Sequence, residues 1–119
     1  MKNLAEYAQP LDRLRERCPV RAALDVIRGR WKPSILHELQ SGTRRFTQIQ
    51  STLPEVTAQA LSVQLRQLEA DGVIHRTVHA EVPARVDYAL TPHGEALTGL
   101  LNQLGEWGEA YLERHADRT

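Results

Sequence analysis

A chain of 119 residues holds one hydrophobic core and is too short for two enzyme lobes. With 41% hydrophobic and 25% charged residues it falls among folded chains, not disordered ones. No apolar run approaches the ~18 residues needed to cross a bilayer. The opening Met1-Lys2-Asn3-Leu4-Ala5-Glu6 lacks the apolar stretch of a secretory signal, so the expected location is the cytoplasm, with no membrane partner. A single cysteine excludes an intrachain disulfide and any cysteine-built zinc cage.

Fifteen basic and fifteen acidic residues cancel, but they are not evenly spread. Residues 13–45 carry nine basic groups against three acids (Glu16, Asp25, Glu38), whereas residues 91–119 carry two basic groups against five acids. A partner feels this local asymmetry more than the sum. It fits a nucleic-acid surface, and it equally fits arginines that merely solvate helix faces.

In chain order, Leu4, Tyr7, Leu11 and Leu14 fall at helical spacing around Pro10 and predict a short arm with one apolar side. Cys18-Pro19 reads as a helix start, with Val20, Ala23, Leu24 and Ile27 along one face and Gly29 as the stop. A second helix starts near Lys32-Pro33, buries Ile35, Leu36 and Leu39, and ends at Ser41-Gly42. Trp31, just before it, reads as a core plug. A short third helix is predicted with Thr47 as its cap and Gln50 three residues on, a capping-box spacing, and with Phe46, Ile49 and Leu53 as its apolar side.

The fourth helix carries the most information. Thr57 is a good N-cap, Val56 and Leu61 fit a hydrophobic staple, and Asp71-Gly72 ends the helix. Leu61, Leu65 and Leu68 line one side. At 100° per residue, Gln59, Ser62, Val63, Arg66 and Gln67 project from the other. The period then changes to two: Val73–His79 and Arg85–Leu90 read as strands, and Ala80–Ala84, with Pro83, as a hairpin tip. Thr91-Pro92 opens a last helix reaching at least Leu112.

Short helices, the third and fourth joined by a tight turn, followed by a hairpin, describe a winged helix-turn-helix: α+β, mainly α. The third helix braces the fourth, whose polar side is left free for the DNA major groove. There glutamine can bond the adenine N6/N7 edge, arginine the guanine O6/N7 edge, and Val63 can touch a thymine methyl. The bland reading is an ordinary amphipathic surface helix; the brace, the hairpin and the upstream arginines favour DNA.

The runs Cys18–Ile27, Gly29-Arg30-Trp31, Ile35–Leu39, Gly42–Phe46, Leu61-Ser62, Leu65–Ile74 and Val82–Thr91 together resemble, in order, the HxlR-type bacterial regulators over about residues 18–112. The resemblance implies a dimeric winged-helix transcription factor, related in design to the MarR-type regulators, on a roughly palindromic operator of double-stranded DNA. It also departs from the pattern: Gln59 and Gln64 stand where a basic residue is frequent, Ala58 where Pro is common, and Ala84 where a second wing proline is usual. Backbone contact then falls to Arg44, Arg45, Arg66, Arg76 and Arg85, with Thr57 at the head of the reading helix. Arg85 beside the tip is the expected wing contact.

Cys18, at a helix N-terminus with Arg15, Arg17 and Arg21 close in sequence, sits in the electropositive kind of setting in which thiols become reactive. Some relatives use a cysteine here to sense thiol stress. With one thiol per chain, the oxidised form would be an intersubunit or a mixed disulfide. The alternative is a small capping residue that happens to be Cys. His75 and His79 would chelate on a helix, but on a strand they stand roughly 13 Å apart, so no metal is expected. No Gly-rich phosphate loop, paired carboxylates or ordered Ser/His/Asp set is present, so neither cofactor nor enzyme activity is expected.

In the last helix Leu97, Leu101, Leu104, Gly108 and Tyr111 recur at steps of four and three, widened by Leu100 and Trp107. This stripe, with the arm at Leu4, Tyr7, Leu11 and Leu14, is the expected homodimer interface. The predicted organisation is an arm over residues 1–17, a DNA-binding winged helix over 18–91, and a dimerisation helix over 92–119. The function expected is a repressor responding to an oxidant through Cys18. Two alternatives stand: a small-molecule-responsive regulator without thiol sensing, and a protein-interaction winged helix that has lost DNA binding, to which Gln59, Gln64 and the zero net charge point.

Overall fold

The computed structural model describes residues 18–116, in which five helices and a three-stranded sheet follow one another. They are α1 (Pro19–Ile27), α2 (Lys32–Leu39), β1 (Arg44–Arg45), α3 (Phe46–Thr52), α4 (Ala58–Ala70), β2 (Ile74–His79), β3 (Arg85–Leu90) and α5 (Pro92–Ala116). The predicted arm, with Leu4, Tyr7, Leu11 and Leu14, lies outside the described residues. Helix followed by hairpin and long final helix is the expected winged helix-turn-helix arrangement.

The sheet is antiparallel in the order β1-β3-β2. β2 and β3 form the hairpin, in register from Ile74 opposite Leu90 to His79 opposite Arg85. The third strand was not legible beforehand: Arg44 and Arg45 pair with Tyr88 and Asp87 on the far edge of β3. Two arginines carry no alternating apolar pattern, so only the partner strand reveals them as sheet.

That pairing also moves the start of α3. Arg45, still extended at φ −79° and ψ 158°, occupies the N-cap position, and its backbone N–H donates to Gln48 Oε1 at 2.8 Å. The expected cap at Thr47 with Gln50 is therefore displaced by two residues, because the chain leaves the sheet directly into the helix. The start of α4 agrees with expectation: Thr57 Oγ1 accepts the Ala60 N–H at 3.0 Å, and Val56 and Leu61 are both buried.

The end of α4 is closed by a Schellman arrangement. The Gly72 N–H donates to Glu69 O at 3.0 Å and the Val73 N–H to Leu68 O at 3.2 Å. Gly72 makes this turn at φ +75°, the left-handed region that glycine enters at little cost. Val73 and Leu68, one on each side of the turn, are fully buried.

One core sits beneath α4. Ile35, Leu36 and Leu39 from α2, Ile49 from α3, Leu61, Leu65 and Leu68 from α4, and Val73, Ile74 and Tyr88 from the hairpin fill it. Burying a leucine contributes roughly 1.5–3 kcal/mol, so the three α4 leucines fix which side of that helix faces in. Trp31 and Phe46 pack against this core half-buried. On α1 the predicted apolar face is only partly used: of its residues Ile27 reaches the core, joined by Val26, while Val20 and Leu24 remain 68% and 50% exposed.

Candidate nucleic-acid interface

α4 is held from three sides. Its leucine side is buried, its first turn is capped by Thr57, and its last turn is locked by Gly72-Val73. Its rotation about its own axis is thereby fixed. Gln59, Val63, Arg66 and Gln67 are exposed, and Ser62 is half-buried at the margin of the same flank. The side chain of Arg66 has no hydrogen bond or ion pair among the described residues, so its guanidinium is available to a ligand. Two glutamines, an arginine and a valine on one outward flank offer amide pairs for adenine, a fork for guanine and a methyl contact for thymine.

The remaining predicted arginines lie on the sheet. Arg76 is exposed on β2, and Arg45 is exposed on β1. Arg44 is half-buried and donates from Nη2 to Ser41 Oγ at 3.1 Å.

Arg85, the expected wing contact, is held by neighbouring carboxylates. It is half-buried at the start of β3, with Nη1 3.3 Å from Glu81 Oε1 and Nε 3.5 Å from Asp87 Oδ1. Asp87 also accepts His79 Nε2 at 2.8 Å through its other oxygen. One carboxylate thus ties the two strands and the base of the tip together. The tip itself presents Val82, fully exposed, beside Pro83 and Ala84.

A further ion pair, between Arg30 and Glu55, has no signal in the sequence. Arg30, in the α1–α2 loop, donates from Nη2 to Glu55 Oε2 at 2.6 Å, and Glu55 stands in the α3–α4 turn, two residues before the Thr57 cap. The Arg30 guanidinium also lies 4.8 Å from the centre of the Trp31 ring. The two partners are 25 positions apart, so no local spacing signals the contact.

Cys18 is exposed and occupies the N-cap position of α1, where its carbonyl accepts the Ala22 N–H at 3.2 Å while its side chain caps nothing. It shares a surface depression with Arg21, Asp25 and Arg28. His75 and His79 both lie on β2, as the strand reading requires, and His79 is engaged by Asp87.

α5 divides its apolar residues between two surfaces. Leu97 and Leu101, expected in the subunit interface, turn half-buried onto the protomer's own core. Leu100, Leu104, Trp107, Tyr111 and Leu112 are left 45–66% exposed, and the rings of Trp107 and Tyr111 stack at 5.4 Å. No helix among the described residues is long and apolar enough to cross a membrane.

The model of a protein family described as HxlR-like helix-turn-helix matches residues 26–116. The chain is 43% identical over 99 residues to the uncharacterized HTH-type transcriptional regulator YdeP of Bacillus subtilis, spanning 83% of this chain and 77% of that one. Among solved structures, it is similar to the redox regulator HypR in its reduced form, with 39% identity and a TM-score of 0.79 over 84% of this chain and 99% of that one. It is also similar to the reduced form of the transcriptional regulator YodB from B. subtilis, with 32% identity and a TM-score of 0.73 over 82% and 96% of the two chains.

Proposed function

The chain belongs to the HxlR-like helix-turn-helix family of transcriptional regulators, and from that premise we propose that it is a homodimeric repressor of a palindromic operator, with α4 as its reading helix. The carrying observation is the outward flank of α4, where Gln59, Val63, Arg66 and Gln67 stand exposed on a helix whose leucine side is fully buried. Arg44, Arg45 and Arg76 supply phosphate contacts around it, and Thr57 and Ser62 border it. Arg85 joins them only by giving up carboxylate partners. The charge-neutral chain can still bind a polyanion because these arginines are local to the sheet and α4.

The dimer reading rests on the unfilled apolar surface of α1 and α5. Val20, Leu24, Leu100, Leu104, Trp107 and Tyr111 are too many large groups to leave in water. A two-fold axis through this surface would set two copies of α4 about one DNA turn, near 34 Å, apart. In this division residues 18–91 bind DNA, and residues 92–119, with the arm over 1–17, form the subunit contact.

Regulation through Cys18 is the reading favoured by its exposure and by the similarity to HypR and YodB. A second reading, an apolar small-molecule inducer, is favoured by a groove between α1 and α5 lined by Ala23, Val26, Val73, His93, Leu97 and Leu100. Loss of operator binding on adding such a molecule to a Cys18→Ser protein would separate it from thiol control.

The deciding experiment is an anisotropy titration against the intergenic DNA beside its own gene and a scrambled duplex. Arg66→Ala and Gln59→Ala should each cost about 1–3 kcal/mol on the intergenic DNA and much less on the scrambled one. Unchanged binding by both variants refutes α4 as the reading helix. No binding by the parent protein to any duplex leaves the protein-interaction alternative standing.

A further inference from the structure

The Arg30–Glu55 pair joins the α1–α2 loop to the turn at the foot of α4. Its two side chains are 71% and 69% exposed, so neither is consumed by the core. Exposed pairs of this kind add little to stability. The loop approaches α4 closely at a second point: a β-carbon on Gly29 would lie 3.9 Å from Gln64 Oε1. Arg28 and Arg30 flank that glycine and both are exposed. The Trp31 ring under the Arg30 guanidinium limits how far the side chain can swing.

The N-terminal end of a reading helix is the part that approaches the base edges most closely, and the backbone phosphates lie beside it. Glu55 stands two residues before the cap of α4. An unshielded carboxylate there would repel the phosphates, and the guanidinium it holds is a cation at the same end of the helix. We propose that Arg30 is a DNA-phosphate contact and that Glu55 competes with the phosphate for it, so that the free protein keeps this cation occupied and binds random DNA weakly. Trp31 is the positioning residue. This rests on the reading of α4 as the DNA-binding helix, and it adds a contact from the α1–α2 loop to those expected from α4 and the sheet.

Each phosphate neutralised adds about 0.9 to the salt slope of the binding constant, worth about fivefold in affinity at ~0.15 M salt. The test uses the full chain and a mixed-sequence duplex of about three helical turns, since phosphate contacts are independent of base order. Arg30→Ala should lower the slope by about 0.9 and the affinity about fivefold, while Arg30→Lys should keep most of the slope. Glu55→Gln should tighten binding, and the double variant should show the slope of Arg30→Ala. Thermal unfolding of all four variants should match the parent, because the pair is exposed.

An unchanged salt slope in Arg30→Ala overturns the proposal. So does weaker binding by Glu55→Gln, which would make the pair a strut that sets the angle of α4. Failure of the underlying reading looks different: Arg66→Ala binds the intergenic DNA as the parent does, whatever the salt slope of Arg30→Ala on the mixed duplex.

Discussion

A β-carbon on Gly94 would overlap the carbonyl oxygen of Val73 and come within 2.9 Å of the carbonyl carbon. Gly94 lies in the first turn of α5, and Val73 is the residue that closes α4. The same junction is bonded twice more, with Thr91 Oγ1 donating to Gly72 O at 2.6 Å and the Thr91 N–H donating to Val73 O at 3.1 Å. Thr91 Oγ1 also accepts the Gly94 N–H at 3.0 Å, so one hydroxyl caps α5 while gripping the end of α4. The helix proposed to read DNA and the helix proposed to carry the subunit contact therefore meet at a joint with no slack.

Gly94→Ala should be costly for that reason. The added methyl meets backbone, which cannot rotate away as a side chain can, so α5 must lift from Val73. A loss of about 1–3 kcal/mol is expected, the usual cost of overpacking. Thermal unfolding should show it as a drop of several degrees. Gly99→Ala, with nothing within 4 Å of its added carbon, is the matched control and should be neutral or slightly stabilising. Equal melting temperatures for the two variants would contradict the joint.

Asp87→Ala should loosen the wing. The carboxylate is only 17% exposed and serves both His79 and Arg85. Removing it leaves the largely buried Arg85 Nε without its one nearby anion. Hydrogen bonds to charged groups are worth about 1.5–3 kcal/mol, and the loss should fall in that range. Urea unfolding measures the cost, and hydrogen exchange of the hairpin amides should rise more than that of α4. A fully stable variant with an unchanged hairpin would show that Glu81 alone suffices to hold Arg85.

Leu104→Glu should divide the proposed dimer without unfolding the protomer. Leu104 is 53% exposed and belongs to the outward half of the α5 stripe, so the protomer's core does not depend on it. Burying a carboxylate between two copies is strongly unfavourable. Sedimentation should report a shift toward the protomer mass, and affinity for the intergenic duplex should fall with it. Leu101→Glu is the contrasting variant: Leu101 packs against the core, and its replacement should destabilise the protomer itself.

The parts of this fold that the sequence revealed are those written in local spacing. The α4 stripe of Leu61, Leu65 and Leu68, the Thr57 cap, the Gly72 stop and the strand from Arg85 to Leu90 all depend on residues within a few positions of one another. What it hid depends on distant partners. β1 exists only because Tyr88 and Asp87 lie opposite Arg44 and Arg45, and that pairing is what moved the α3 cap to Arg45. Arg85 is the exception: Glu81 and Asp87 stand only four and two positions away, yet spacing alone does not show that both carboxylates turn toward it. The split of the α5 stripe was hidden for a similar reason: Leu97 and Leu101 differ from Leu100 and Leu104 only in which neighbour they meet.

Cys18 allows a test that a chain with more cysteines would confuse. With a single thiol per chain, a disulfide can join only two copies of Cys18 or Cys18 and a small thiol. Forming it removes two protons and two electrons from two thiols, and diamide takes up both pairs to become the hydrazine. Treated protein should then run at dimer mass on a non-reducing gel, or gain the mass of glutathione when that thiol is added, and lose affinity for the intergenic duplex. Dithiothreitol should reverse both changes, and Cys18→Ser should show neither. Exposure of the sulfur makes the reaction accessible, but regulation requires that the two observations move together. A crosslinked protein that binds DNA as the reduced one does would reduce Cys18 to its structural position at the head of α1.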